Sequence, residues 1–204
     1  MTRPLRLEEM TPATARAMLA DSRKLIIPAG TLEIRGPHLP LGTDTIILDH
    51  LADDLSAAIG VVRSPCIPFG VKGRGRTGEA GVATVSRKAL HRVMNELIAD
   101  WEEVAGVTET AVLTAHAAEA HQEALSTIRT AGSVRLVDIF SLDFTPVLGR
   151  ATARTGELET YLIQHLRPEL VEEIRSGRAQ GDAQVGGELY TFILTQLPPL
   201  CFPA

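Results

Sequence analysis

The 204-residue sequence is poor in aromatics, at 4% with a single tryptophan, and holds only two cysteines, Cys66 and Cys201. Two thiols so far apart, without ligand-like spacing, exclude a disulfide framework or a zinc knuckle and read as buried free thiols. Positive charge is not in excess either. Twenty Lys plus Arg face 25 Asp plus Glu, for a net charge of -5, and without a basic stripe nucleic-acid binding through phosphates is not expected. No apolar run reaches the ~18 residues a membrane span requires. The first residues, MTRPLRLEEM, are too polar for a signal peptide, so a cytoplasmic location and a small-molecule partner are expected. Lysine is scarce as well: arginine outnumbers it 17 to 3, a coding habit of GC-rich genomes that points to a bacterial source.

What remains is a chain that is 45% hydrophobic, enough to bury the core of one domain over residues 1–204. Helical spacing covers 8–20, with a start at Thr11-Pro12. Residues 25–28 read as a buried strand, 44–59 as a helix and 61–67 as a second strand ended by Pro68-Phe69-Gly70; together they form a β-α-β unit with parallel strands. The five-glycine stretch over 70–86 reads as a surface loop. Ser86 caps a helix over 86–104 with Leu90, Val93, Met94, Leu97, Ile98 and Trp101 on its apolar face. Strands follow at 110–114 and 134–140, with a helix opening in the segment between them. Helices are expected at 156–165 and 169–176, separated by Pro168. In the tail, Gly186, Gly187, Pro198 and Pro199 should break any long helix. They leave 189–197 as a short apolar helix or strand that could seat an oligomer contact. Alternation of strands and helices predicts a three-layer α/β/α sandwich around a mainly parallel sheet.

Three polar groupings stand out against that frame. Glu33, Arg35, His38 and Asp44 crowd the connection between the first strand and its helix, where parallel sheets place their sites. Glu and Asp there can offer hard oxygen ligands to a hydrolytic metal, although Asp44 could equally cap the helix and Glu33 lie in solvent. His116 falls at the carboxyl end of a central strand and can project into the same crevice. His121, five residues on, reads as a solvent-facing helical residue. Glu157 and Glu159 open a later helix, where acidic residues favour the positive end of the helix dipole.

The first grouping, PAGTLEIRGPHLPLGTD over 28–44, resembles the signature of the creatininase (creatinine amidohydrolase) family, which reads roughly PxGSxEQHGPHLPxxTD. Residues 114–119, TAHAAE, resemble the family's NGHGGN, with His116 at the metal-binding histidine. Residues 154–161, RTGELETY, resemble its HAGExETS. The resemblance implies a homo-oligomeric α/β/α enzyme with one or two divalent ions, zinc or manganese, acting on a small amide. Glu33, Asp44 and His116 match the ligands of one ion. The ligands of the other are replaced by Arg35 and Ala118, so a single ion per chain, or none, is expected.

Arginine cannot ligate, because its guanidinium stays protonated. Its fixed charge is expected to neutralise Asp44, to stand in for the second ion and to orient a carboxylate or a developing oxyanion. The resemblance further implies Glu157 at or beside the metal. His38, within GPHLP, reads either as a base or substrate contact or as a structural histidine bonding a loop carbonyl. The expected reaction is hydrolysis of a non-peptide C–N bond in a small amide or cyclic amide, or the reverse ring closure. Arg74 and Arg76 in the glycine-rich loop argue against creatinine itself. The alternative is a non-hydrolytic tailoring enzyme, a cyclase or dehydratase, or a catalytically silent binding homologue.

Overall fold

The computed structural model of the chain describes residues 3–71, 80–150, 156–172 and 182–203. Arg74 and Arg76, and the 154–155 end of the third motif, lie outside them. Four strands, β1 (Lys24–Ala29), β2 (Val62–Arg63), β3 (Glu109–Thr114) and β4 (Ser133–Asp138), form one sheet in the order β2-β1-β3-β4. Every pairing is parallel. The seven helices among the described residues are α1 (Pro12–Ser22), α2 (Thr43–Ile59), α3 (Arg87–Ala105), α4 (Glu119–Ser126), α5 (Thr145–Leu148), α6 (Glu157–Leu166) and α7 (Ala183–Cys201).

Strand alternation sorts the core into two halves. Ile26, Ala111, Leu113 and Val137 pack with Ile47, Leu51 and Leu55 of α2, Leu162 of α6 and Leu189, Ile193 and Leu197 of α7. Leu25, Ile27 and Val112 face the other way, against Leu19 of α1, Leu90, Met94 and Ile98 of α3 and Leu125 of α4. These are the three layers expected from the sequence. No helix of the described residues is long and apolar enough to cross a membrane.

Local chemistry sets most boundaries where the sequence puts them. Thr11 accepts from the Thr14 amide at the start of α1, and Ser86 accepts from Ala89 at the start of α3. Residues 8–11 are not part of α1, however: Leu7–Glu9 forms one 3-10 turn and the helix begins at Pro12. The strand expected over 61–67 is interrupted. The Ser64 amide donates to the Ile26 carbonyl, but the next amide on β1, at the Pro28 carbonyl, is that of Ile67 and not Cys66, so one extra residue breaks the register and the ladder resumes as a single bridge between Ala29 and Ile67. On α3, Leu90, Met94 and Ile98 are buried, but Val93 and Leu97 lie at the edge of the apolar face and are exposed.

Two expectations for the C-terminal part are overturned. Pro168–Leu170 forms a 3-10 turn, and the Glu172 amide then donates to the His38 carbonyl at 3.0 Å, so no α-helix forms over 169–172; 173–176 fall outside the described residues. The tail is one 19-residue helix that runs through both glycines and both prolines. Gly186 sits on the Tyr161 carbonyl, where an added Cβ would run into the oxygen. The glycine is a docking point between α7 and α6, not a breaker. Pro198 and Pro199 come in the last turn, so the amide bonds they forgo lie at the end of the helix, and the Phe202 amide still donates to the Pro198 carbonyl at 3.0 Å. The apolar residues of this segment, Leu189, Ile193 and Leu197, are spent on the core.

Gly186→Ala is therefore expected to destabilise the fold by about 1–3 kcal/mol, the usual cost of overpacking. Gly42→Ala, with open space around its Cβ position and a φ of -87°, should change stability by no more than about 0.5 kcal/mol. Urea unfolding of the two variants checks the contrast.

Candidate active site

The carboxyl ends of β1 and β3 are neighbours in the sheet, with Ala29 in register with Thr114. Chain leaving β1 forms a loop closed by the Glu33 amide on the Leu41 carbonyl at 3.0 Å, and it enters α2 with Gly42, not Asp44, as the N-cap. Asp44 is free to turn its carboxylate inward, and it is 1% exposed. His116 lies two residues beyond the end of β3 and is also buried. Glu33, Asp44 and His116 consequently converge, each offering a ligand-type atom within 4.8 Å of the others.

Arg35 fills the middle of this group. Its Nε and Nη2 donate to Asp44 Oδ1 and Oδ2 at 2.8 and 2.5 Å, a bidentate pair. The same Nη2 lies 3.1 Å from Glu33 Oε1, 2.8 Å from His116 Nδ1 and 3.2 Å from the Ala115 carbonyl. Nη1 faces Glu159 Oε1 at 3.9 Å. Thr31 completes the shell of Asp44, donating its hydroxyl to Oδ2 at 2.6 Å.

His116 is oriented from behind. Its Nε2 lies 3.0 Å from the Val71 carbonyl, which can only accept, so Nε2 carries a proton and the Nδ1 side is directed at Arg35 and at Glu33, 3.1 Å away. A carbonyl on the far nitrogen is how metal-binding imidazoles are commonly held. By atom type, then, the three residues suit one divalent ion. By space they do not, as the side chains stand: an ion about 2.0–2.2 Å from those atoms would overlap Arg35 Nη2. The sequence places Arg35 at the lost second position; the structure puts its guanidinium among the ligands of the first.

The remaining expected residues are distributed differently. Glu157 pairs with Arg150 and accepts from the Tyr161 hydroxyl at 3.4 Å, so of the two acidic residues opening α6 it is Glu159 that joins the cluster. Residues two apart on a helix point about 200° away from each other, and only one can face the sheet ends. Glu159 is 3% exposed and also accepts from the Gly156 amide at 2.7 Å. His38 does not enter the cluster. Its Nε2 is 2.8 Å from Thr160 Oγ1, whose proton goes to the Gly156 carbonyl, so His38 ties the loop to α6, its Nδ1 buried and without a hydrogen-bond partner among the described residues.

Residues not expected at the site support the group. His121, expected in solvent, is fully buried. Its Nδ1 accepts from the Val71 amide at 3.2 Å and its Nε2 reaches Thr114 Oγ1 at 3.0 Å. Val71 thus joins the two histidine rings, which meet edge-on at 4.9 Å. Gln122 donates to the His116 carbonyl at 2.6 Å and to Asp138 at 3.0 Å. The spacing of His116 and His121 was the one available signal for this arrangement.

Electrostatics divide the carboxylates. Burial pushes Glu33 up, but the His116 hydrogen bond and the Arg35 charge outweigh it and hold the carboxyl below its usual range. Burial dominates at Glu159 and at Asp138 and raises both. Burial and the neighbouring His116 press His121 down to about 3. A folded-state pKa below the unfolded value of about 6.5 contributes stability above pH 6.5 and loses it as the pH falls, by up to about 1.4 kcal/mol per unit. Denaturant unfolding between pH 7 and 5 should show that loss, and His121→Gln should remove its share of the slope.

Comparison with known proteins agrees with this architecture. A mycofactocin precursor peptide peptidase of Mycobacterium tuberculosis (strain CDC 1551 / Oshkosh) is 30% identical over 98 residues, a match covering 43% of this chain and 39% of the peptidase. A creatininase with one tryptophan changed to phenylalanine superposes with a TM-score of 0.79 at 15% identity, over 93% of this chain and 94% of that one. A manganese form of creatininase gives 0.75 at 16% identity, over 95% of each chain. A Zn-Zn form of another creatininase mutant gives 0.74 at 15%, over 95% and 94%. These likenesses establish the α/β/α fold. Since the family model for creatinine amidohydrolase matches residues 8–191, nearly the whole described sheet and its helices, the chain belongs to the creatininase family.

Proposed function

We propose that the chain hydrolyses a C–N bond of a small amide, cyclic amide or short peptide, or closes such a bond in reverse, with the Arg35 guanidinium as the fixed positive charge of its active centre. Family membership supports hydrolysis, and the peptidase relative extends the range of amides to peptides. The observation that carries the reading is the buried cluster in which one guanidinium spans Asp44, Glu33, His116 and Glu159.

Because the guanidinium holds the centre, the steps belong to the chain's own groups. Two carboxylates whose environments push their pKa values apart mark the base and the acid of such a site. Glu33, held ionised by His116 and Arg35, takes a proton from water as the oxygen adds to the carbonyl carbon. Glu159, raised by burial, keeps a proton further up the pH scale and delivers it to the leaving nitrogen as the C–N bond breaks. The products are an acid and an amine. Arg35 Nη1, 3.9 Å from Glu159 Oε1, has donors to offer the carbonyl oxygen as negative charge develops. Asp44 holds the guanidinium in place, and His38 fixes the loop against α6.

A second reading is favoured by the same contacts. Arg35 already satisfies Glu33, Asp44 and His116, which is also the state of a binding homologue without turnover. Amine release from a panel of primary amides, cyclic amides and short peptides separates the two. The hydrolytic reading predicts turnover of at least one class, reduced ~100-fold or more by Glu33→Gln and by Glu159→Gln, with the Glu157→Gln rate close to that of the unaltered chain. Saturable binding of an amide without amine release, or rates indifferent to Glu33 and Glu159, contradicts it.

A further inference from the structure

The cluster at the sheet ends contains a conflict. Its outer parts are arranged as an ion-binding centre: two carboxylates, an imidazole turned inward by the Val71 carbonyl, and ligand-type atoms within 4.8 Å of one another. Its middle is an arginine nitrogen. Nη2 makes with Glu33, Asp44 and His116 the contacts an ion would make, and it adds the Ala115 carbonyl.

Charge makes the two occupants exclusive. Glu33 and Asp44 together offer two negative charges beside His116, and Arg35 answers one of them from within 3.1 Å. A divalent ion added beside the guanidinium would put three positive charges against two negative ones in a region where Asp44 and His116 are almost wholly buried. At a few ångströms such repulsion is strong when water is excluded. The ion would also have to break the bidentate bond to Asp44. Among the described residues Glu33, Asp44 and His116 are the one group suited to holding an ion, and Ala118, where the family carries a further ligand, offers none.

We propose that Arg35 and a divalent ion are alternative occupants of one seat, so that the protein carries its own cation there and a one-ion site lies latent beneath it. This rests on reading the cluster as the active centre, not on any turnover. It differs from the expectation that Arg35 replaces only the second ion: the guanidinium displaces the first.

Titration calorimetry with Mn²⁺ and with Zn²⁺ on the 204-residue chain tests the inference. The unaltered protein should bind either ion at least 100-fold more weakly than Arg35→Ala. The variant should take up one equivalent, and adding Glu33→Gln or His116→Ala to it should abolish the uptake. Thermal melting gives a second readout: Arg35→Ala, with Asp44 left uncompensated, should melt low without ion and recover with Mn²⁺, while the unaltered chain should not respond. Arg35→Met, which keeps most of the side-chain volume, serves if the alanine variant does not fold. One equivalent bound by the unaltered chain as tightly as by either variant would overturn the proposal, as would uptake that survives Glu33→Gln and His116→Ala. Absence of amide hydrolysis alongside the expected titrations would sink the hydrolytic reading and leave this one standing.

Discussion

Everything at the sheet ends depends on the bidentate pair between Arg35 and Asp44. Asp44 is buried in the first turn of α2, and a carboxylate there is costly unless it is paired and fully hydrogen-bonded. Arg35 and Thr31 together meet that requirement. Once the guanidinium is committed to Asp44, its Nη2 is fixed in position, and Glu33, His116 and Glu159 are organised around it. Such a pair need not add net stability, since desolvation offsets much of the attraction. Its consequence is geometric: it sets which cation sits at the meeting point of β1 and β3.

The scaffold around that pair is conservative. A parallel sheet delivers the loop after β1 and the end of β3 to the same edge, the arrangement in which open α/β folds build their sites. The second layer is equally ordered. Val71 gives its carbonyl to His116 and its amide to His121, and Gln122 links the His116 carbonyl to Asp138. These are the supports that keep an imidazole aimed at an ion. Here they aim it at a guanidinium, and Arg35 is the residue that changes what the framework holds.

Much of this was readable from the sequence, for identifiable reasons. The strands at 24–29 and 109–114 are built on the apolar runs 25–29 and 111–113, Thr11 and Ser86 are strong caps, and Glu33, Asp44 and His116 stand at motif positions whose order along the chain is kept. What escaped depends on three-dimensional proximity. Gly186 looks like a breaker until the Tyr161 carbonyl is seen against it. Glu157 and Glu159 differ only in the face of α6 they occupy. His121 looks solvent-facing because its partners, Val71 and Thr114, are distant or lie on another element. Arg35 announces the loss of a ligand and a charge to neutralise Asp44, and the pair forms, but the further reach of the side chain to His116 and Glu33 depends on the fold and carries no sequence signal.

The account turns on what occupies the point between Glu33, Asp44 and His116. Crystals of the unaltered protein grown in excess Mn²⁺ and measured at the manganese absorption edge would decide it. The account predicts guanidinium density bridging Asp44 and His116, with no anomalous peak at that point. A manganese ion ligated by Glu33, Asp44 and His116, with Arg35 turned away, would contradict it.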